Sequence, residues 1–109
     1  MIEPAYRLEY YLDDSGKAPF LLWLYSLRDK MAVYRIRARL DRVVLGNFGT
    51  VEPVGDGVWE IKIDHGPGYR IYYAISGKDV VLLLVGGDKS AQQRDIETAK
   101  SYWKQQKGE

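Results

Sequence analysis

Residues 6–12 alternate, with Tyr6, Leu8, Tyr10 and Leu12 set against Arg7, Glu9 and Tyr11. A period of two predicts a strand with one buried face, here the even-numbered one. Asp13-Asp14-Ser15-Gly16 breaks it. The period then lengthens. Pro19 suits a first helical turn, and Phe20, Trp23, Leu24 and Leu27 follow at helical spacing. A second helix is predicted from Asp29 or Lys30, with Val33, Ile36, Leu40, Val43 and Val44 as its stripe and Gly46 as its stop. Residues 46–57 hold Gly46, Gly49, Gly55, Gly57 and Pro53 and read as a loop leading into a sheet. Three strands are predicted next. In 58–64, Trp59, Ile61 and Ile63 oppose Glu60, Lys62 and Asp64. In 69–75, Tyr69, Ile71, Tyr73 and Ile75 oppose Arg70, Tyr72 and Ala74. Residues 80–85 are apolar throughout, as in a strand covered on both faces. Short turn-rich joins make these an antiparallel meander. Gly86-Gly87 is expected to end the last strand. Ser90 with Gln93 has capping-box spacing, and a third helix to about Lys107 buries Ile96, Ala99 and Trp103. The order β-αα-βββ-α predicts an α+β fold, with helices packed on a small, mainly antiparallel four-stranded sheet.

At 109 residues the chain predicts one domain across 1–109. Its 46% hydrophobic and 28% charged residues argue against disorder. Sixteen Lys and Arg against fifteen Asp and Glu exclude a nucleic-acid binder of the strongly basic sort. No Cys excludes disulfides, a Cys zinc site and a thiol nucleophile, and one His excludes multi-His metal sites. No basic region followed by an apolar one marks a secretory signal in residues 1–14. The longest apolar runs, 20–25 and 80–85, fall far short of the ~20 residues of a bilayer span. A cytoplasmic protein is the expectation.

Three places can carry chemistry. If Trp59, Ile61 and Ile63 share a core face with Tyr69, Ile71 and Tyr73, then Lys62 and Arg70 become cross-strand neighbours on the other face. Two adjacent cations repel unless an anion lies between them. That makes a phosphate site with Arg70 as its clamp, or a solvated face where Glu60 and Asp64 neutralise both cations. His65 sits at the hairpin tip. An imidazole, with an ordinary pKa near ~6.5, suits proton transfer, although a lone turn histidine is more often simply solvated. Second, Gly86-Gly87-Asp88-Lys89-Ser90 can bring Lys89, Ser90 and free amides over the end of the sheet, or be a plain strand-to-helix turn. Third, residues 28–42 carry Arg28, Lys30, Arg35, Arg37, Arg39 and Arg42 against Asp29 and Asp41. Arg35, Arg39 and Arg42 share one helical face, able to track a phosphate backbone or meet an acidic partner, or merely solvated.

At these residues the sequence resembles the RelE/ParE superfamily of toxins from type II toxin–antitoxin modules, most closely the HigB-like branch of addiction-module killer or phage-derived Gp49-like proteins. Val58-Trp59-Glu60-Ile61-Lys62-Ile63, Gly66-Pro67-Gly68-Tyr69-Arg70-Ile71-Tyr72-Tyr73 and Leu82 to Ser90 carry the likeness, continued by Asp95-Ile96 and Ala99. The resemblance implies a toxin that cuts mRNA in the ribosomal A site and is neutralised by a cognate helix-turn-helix, HigA-like antitoxin, through which alone it meets operator DNA. It implies metal-independent, cofactor-free cleavage by attack of a 2′-hydroxyl on the 3′-phosphodiester. Lys62, Arg70 and Lys89 match the basic residues of RelE-like relatives. Arg70 and Lys89 are expected to stabilise charge. His65 or Lys62 is expected to move the proton, and Arg35, Arg39, Arg42 and Ser90 to hold RNA. The chain departs from RelE at Glu60, where RelE has a lysine, and at Arg94-Asp95-Ile96, which has no Tyr or His. A ParE-like inhibitor of DNA gyrase that is no nuclease, and an inactive interaction domain of the same fold, stay open beside the nuclease.

Overall fold

The computed structural model describes residues 3–109; Met1 and Ile2, part of the segment read above for a leader, lie outside it. The strands are β1 (Arg7–Tyr10), β2 (Val51–Gly55), β3 (Val58–Ile63), β4 (Tyr69–Ser76) and β5 (Val80–Asp88). The helices are α1 (Pro19–Ser26), α2 (Lys30–Val44) and α3 (Gln92–Gln106), and a 3-10 turn, Lys89–Ala91, precedes α3. The α+β class holds, but the sheet has five strands rather than four, in the order β1-β5-β4-β3-β2. It is mixed: β1 runs parallel to β5, and every other pair is antiparallel.

The extra strand, β2, lies inside the segment read as a loop. Pro53 hid it. A proline lacks the donor a central ladder needs, but β2 is an edge strand, where that loss costs little. The β2–β3 register shifts between Pro53 and Gly55, which lets the chain bend around Pro53.

Because β5 and β4 lie inside the sheet, helices cover both of its faces. Under α1 and α2, Phe20, Leu24, Ile36, Leu40 and Val43 pack on Ile61, Ile63, Ile71, Tyr73, Val81 and Leu83. Under α3 a smaller cluster joins Val58, Tyr72, Ala74, Leu82 and Leu84 to Ala99. The first strand also differs from its pattern. Tyr11 is buried, stacked on Tyr102, while Tyr10 and Leu12 are exposed. Tyr6 and Leu8 pack with the α1–α2 layer and Tyr11 with the α3 layer, so side chains still alternate but burial is not confined to one face.

Gly86 and Gly87 do not end the last strand. They pair with Ile71 and Arg70, and β5 continues to Asp88. Each is bare for a close approach. A Cβ on Gly86 would run into the Trp23 ring, and one on Gly87 into the Asp95 carboxylate. The expected capping box is also replaced. Asp88 caps the 3-10 turn by accepting from the Ser90 backbone N–H at 2.9 Å and from the Ser90 hydroxyl, and no side chain caps α3. The α2 stop is as read: Gly46 has φ +91° and donates to the Val43 carbonyl at 2.8 Å.

Candidate functional site

The β3–β4 register sets Lys62 opposite Arg70 and Glu60 opposite Tyr72, so these four side chains share the face that α3 covers. Beyond the first turn of α3 this face opens into a groove of about 370 Å³. It is lined by Lys62, Asp64, Tyr69, Arg70 and Lys89, with Thr50, Ile63 and Gly68. Three cations from β3, β4 and the 3-10 turn thus converge: parity placed Lys62 beside Arg70, and the family resemblance added Lys89.

Each cation is held differently. Lys62 donates to Glu52 Oε1 on the neighbouring β2 at 3.0 Å. Lys89 is exposed, and no carboxylate pairs with it among the described residues. Arg70 is only 12% exposed, not the open surface residue its alternation suggests. Its Nη1 donates to the Gly68 carbonyl at 3.3 Å, and its Nε lies 3.7 Å from Glu60 Oε1. Glu60 is 1% exposed and accepts a hydrogen bond from Gln92 Nε2 at 3.0 Å. Asp64, a candidate neutraliser, is exposed, and Glu52 does that work for Lys62 instead.

His65 does not line this groove. Its Nε2 lies 2.9 Å from Asp29 Oδ2, and its ring stacks on the groove-lining Tyr69. Asp29 also caps α2, its Oδ1 accepting from the backbone of Met31 and Ala32. The His65 bond, with these amides, holds the Asp29 carboxyl below the usual carboxylate range. Ser90 is tied to Asp88, whose carboxyl is lowered by the Ser90 hydroxyl.

Arg35, Arg39 and Arg42 line a second groove with Met31, Tyr34, Ile63 and Asp64. It adjoins the first through Ile63 and Asp64. Arg39 is set apart from its neighbours. Its guanidinium donates to the carbonyls of Phe48 at 3.1 and 3.2 Å, Thr50 at 3.0 Å and Lys62 at 2.9 Å. Burial, with Arg42 nearby, lowers its pKa. It therefore stitches α2 to the segment before β2 and to β3, whereas Arg35 and Arg42 are exposed.

The sequence reading did not single out Glu52, Asp29, Gln92 or Asp95 as partners. Residue parity alone puts Glu60 on the Arg70 face. No local pattern shows that α3 buries it.

The sequence model of the family Phage derived protein Gp49-like (DUF891) matches residues 23–104. The chain belongs to this family. The family is of the RelE-like toxin type, associated with toxin–antitoxin modules, so membership implies an antitoxin partner. The match spans α2, β2 to β5 and most of α3, and so includes every residue of both grooves. An uncharacterized protein of Haemophilus influenzae is 46% identical over 78 residues, covering 72% of this chain and 79% of its own length. Among the described residues no helix is long and apolar enough to cross a membrane.

Proposed function

We propose that this Gp49-like protein is a HigB-like endoribonuclease toxin that cleaves mRNA on the ribosome and arrests translation. The convergence of Lys62, Arg70 and Lys89 in one groove carries this reading. Three cations from separate segments suit a phosphodiester, whose charge grows as a 2′-hydroxyl attacks the adjacent phosphorus. In that reaction the 2′-oxygen bonds to phosphorus and the P–O5′ bond breaks. The products are a 2′,3′-cyclic phosphate and a 5′-hydroxyl. One proton leaves the 2′-hydroxyl and one reaches the 5′-oxygen, so the net reaction needs no added water or oxidant.

Arg70 and Lys89 stabilise the phosphoryl oxygens in this scheme. Lys62 and His65 share the two proton transfers. With Nε2 held against Asp29, Nδ1 is the ring nitrogen of His65 left without a side-chain partner among the described residues. Arg35 and Arg42 extend the hold on RNA along the second groove, whose shape Arg39 sets, and the exposed Ser90 adds a hydroxyl beside Lys89, outside both linings. With a net charge of only +1, affinity for free RNA is expected to be weak and the ribosome to supply much of the binding. The exposed Leu22, Tyr25, Met31 and Tyr34 offer apolar surface on α1 and α2 for a helix-turn-helix, HigA-like antitoxin.

Primer extension after induced expression tests the reading. New 5′ ends within translated mRNA are expected from the parent and lost in Lys89→Ala, with His65→Gln about 10²-fold slower in single-turnover cleavage. DNA damage with intact mRNA would instead indicate a ParE-like gyrase inhibitor, and unaffected growth an inactive interaction domain.

A further inference from the structure

Glu60 is a large cost to the fold unless something uses it, because a carboxylate removed from water needs close partners. Its surroundings are unusual. Among the described residues, the buried side-chain polar atoms without a hydrogen-bond partner are Glu60 Oε1, Arg70 Nε and the Tyr72 hydroxyl. They belong to one cluster: Glu60 faces Tyr72 across the ladder and approaches Arg70 along the diagonal. Burial and the neighbouring Glu60 both push the Tyr72 hydroxyl far above its ordinary pKa, so it stays protonated there. Gln92, at the start of α3, grips the other carboxylate oxygen.

The arrangement has a direction. Glu60 Oε1 lies 3.7 Å from Arg70 Nε, an ion pair on the inner edge of the guanidinium rather than a hydrogen bond, and the Gly68 carbonyl takes Nη1. Arg70 itself lines the groove that holds Lys62 and Lys89. A carboxylate that is 1% exposed cannot reach a substrate in that groove, so its effect must pass through its neighbour.

We propose that Glu60, held by Gln92, is the positioning residue of Arg70: it fixes the inner edge of the guanidinium so that the outer amines meet an anionic phosphoryl group in the groove. The assignment rests on the nuclease reading only for its kinetic consequence. Losing the anchor lets the guanidinium shift, and misplacing a group by ~1 Å costs about 10²-fold in rate. Glu60→Gln, nearly isosteric, should therefore slow single-turnover cleavage by about 10- to 10²-fold, and Gln92→Ala by less, with substrate affinity changed far less than rate.

A mutant cycle with an NMR readout tests this. In the Arg70→Ala background, Glu60→Gln should slow cleavage no further while raising the melting temperature, since it neutralises a carboxylate left alone. A purely structural Glu60 would slow both backgrounds equally and lower both melting temperatures, and that result would overturn the proposal. Independently of activity, the Arg70 Nε–H signal should be rigid and slowly exchanging in the parent and mobile in Glu60→Gln. An Arg70 signal as mobile in the parent as those of exposed Arg37 and Arg94 would also overturn it. If the parent leaves ribosomal mRNA intact, the nuclease reading falls, and the NMR arm alone decides whether Glu60 positions Arg70. Should Glu60→Gln fail to fold, Gln92→Ala carries both arms.

Discussion

The two faces of the sheet are built by opposite rules. Under α1 and α2, the strands present Ile61, Ile63, Ile71, Val81 and Leu83 to an apolar helical pair. Under α3, the same strands turn Glu60, Arg70 and Tyr72 inward, and the helix answers with Gln92 and Asp95. Both buried acidic residues of the described chain lie on this second side. The first face contributes burial free energy and asks only for shape. The second gives up part of that gain for a cluster that fixes where one guanidinium points. The apolar packing and the buried polar cluster are thus separated onto opposite faces of one set of strands.

Removing Arg70 should break this comparison most severely. Arg70→Ala is expected to cost about 10²–10³ in cleavage rate, as loss of a contact to a developing charge does. It should also destabilise the fold by ~3 kcal/mol, because it strands a buried carboxylate. Urea denaturation beside single-turnover cleavage measures both. A variant of parental stability would mean that Glu60 is hydrated and the two faces are less different than described.

Adjacent glycines allow a sharper test, since each sits against one face. Gly86→Ala drives a methyl into the Trp23 ring, and Gly87→Ala drives one into the movable end of Asp95. The first should cost ~3 kcal/mol and the second ~1 kcal/mol. Asp95→Ala should rescue the second and leave the first unchanged. Equal costs, or rescue of both, would show that the faces do not act separately.

Arg39 gives a third contrast, between neighbours on one helix. Arg39→Ala removes the guanidinium from three carbonyls, of which that of Thr50 keeps the Lys62 backbone N–H at 3.4 Å, and should lose ~2 kcal/mol, whereas Arg35→Ala and Arg42→Ala should stay within ~0.5 kcal/mol of the parent. Only the latter two should weaken RNA binding without a change in melting.

The smallest effect concerns Asp95, whose carboxyl burial raises above its ordinary value, with Asp88 adding to the rise and Arg94 opposing it. The folded chain holds that proton more tightly than the unfolded one. Between the ordinary and the raised value, stability therefore falls as pH rises. Asp95→Asn removes the penalty. It should melt a few degrees higher at neutral pH, with the gain fading below about pH 4 as the parent carboxyl becomes protonated in both states. A pH-independent gain would point to packing rather than charge.

How much of this was legible depended on whether neighbours in sequence or neighbours in space decide it. The α1 and α2 stripes, the β3–β4 parity and the Gly46 stop are set by adjacent residues, and the structure keeps them. The Lys62–Arg70 pairing followed from parity; that Lys89 joins them was expected only from the family resemblance. Four features did not follow. Pro53 reads as a loop until its strand is known to lie at an edge. Gly86 and Gly87 read as a terminus until Trp23 and Asp95 are known to press on them. Arg39 reads like Arg35 and Arg42 until the chain after α2 folds back beneath it. Glu60 reads as a solvated carboxylate until α3 closes over it. Each depends on a segment distant in sequence, which periodicity does not encode.

The parallel pairing of β1 with β5 governs the order in which the molecule can assemble. Arg7 lies opposite Val80, so β1 has no sheet partner until β5, made much later, exists. β5 also supplies the inner neighbour of β4 and leads directly to Lys89. A nascent chain that has made α1, α2 and the β3–β4 hairpin still lacks β5, the strand that joins β1 to β4, and one of the three cations. Closing so long a loop is entropically slow, and it joins elements that would otherwise expose unpaired edges. Activity should therefore appear late and all at once during synthesis, when β5 enters between β1 and β4 and completes sheet and groove together.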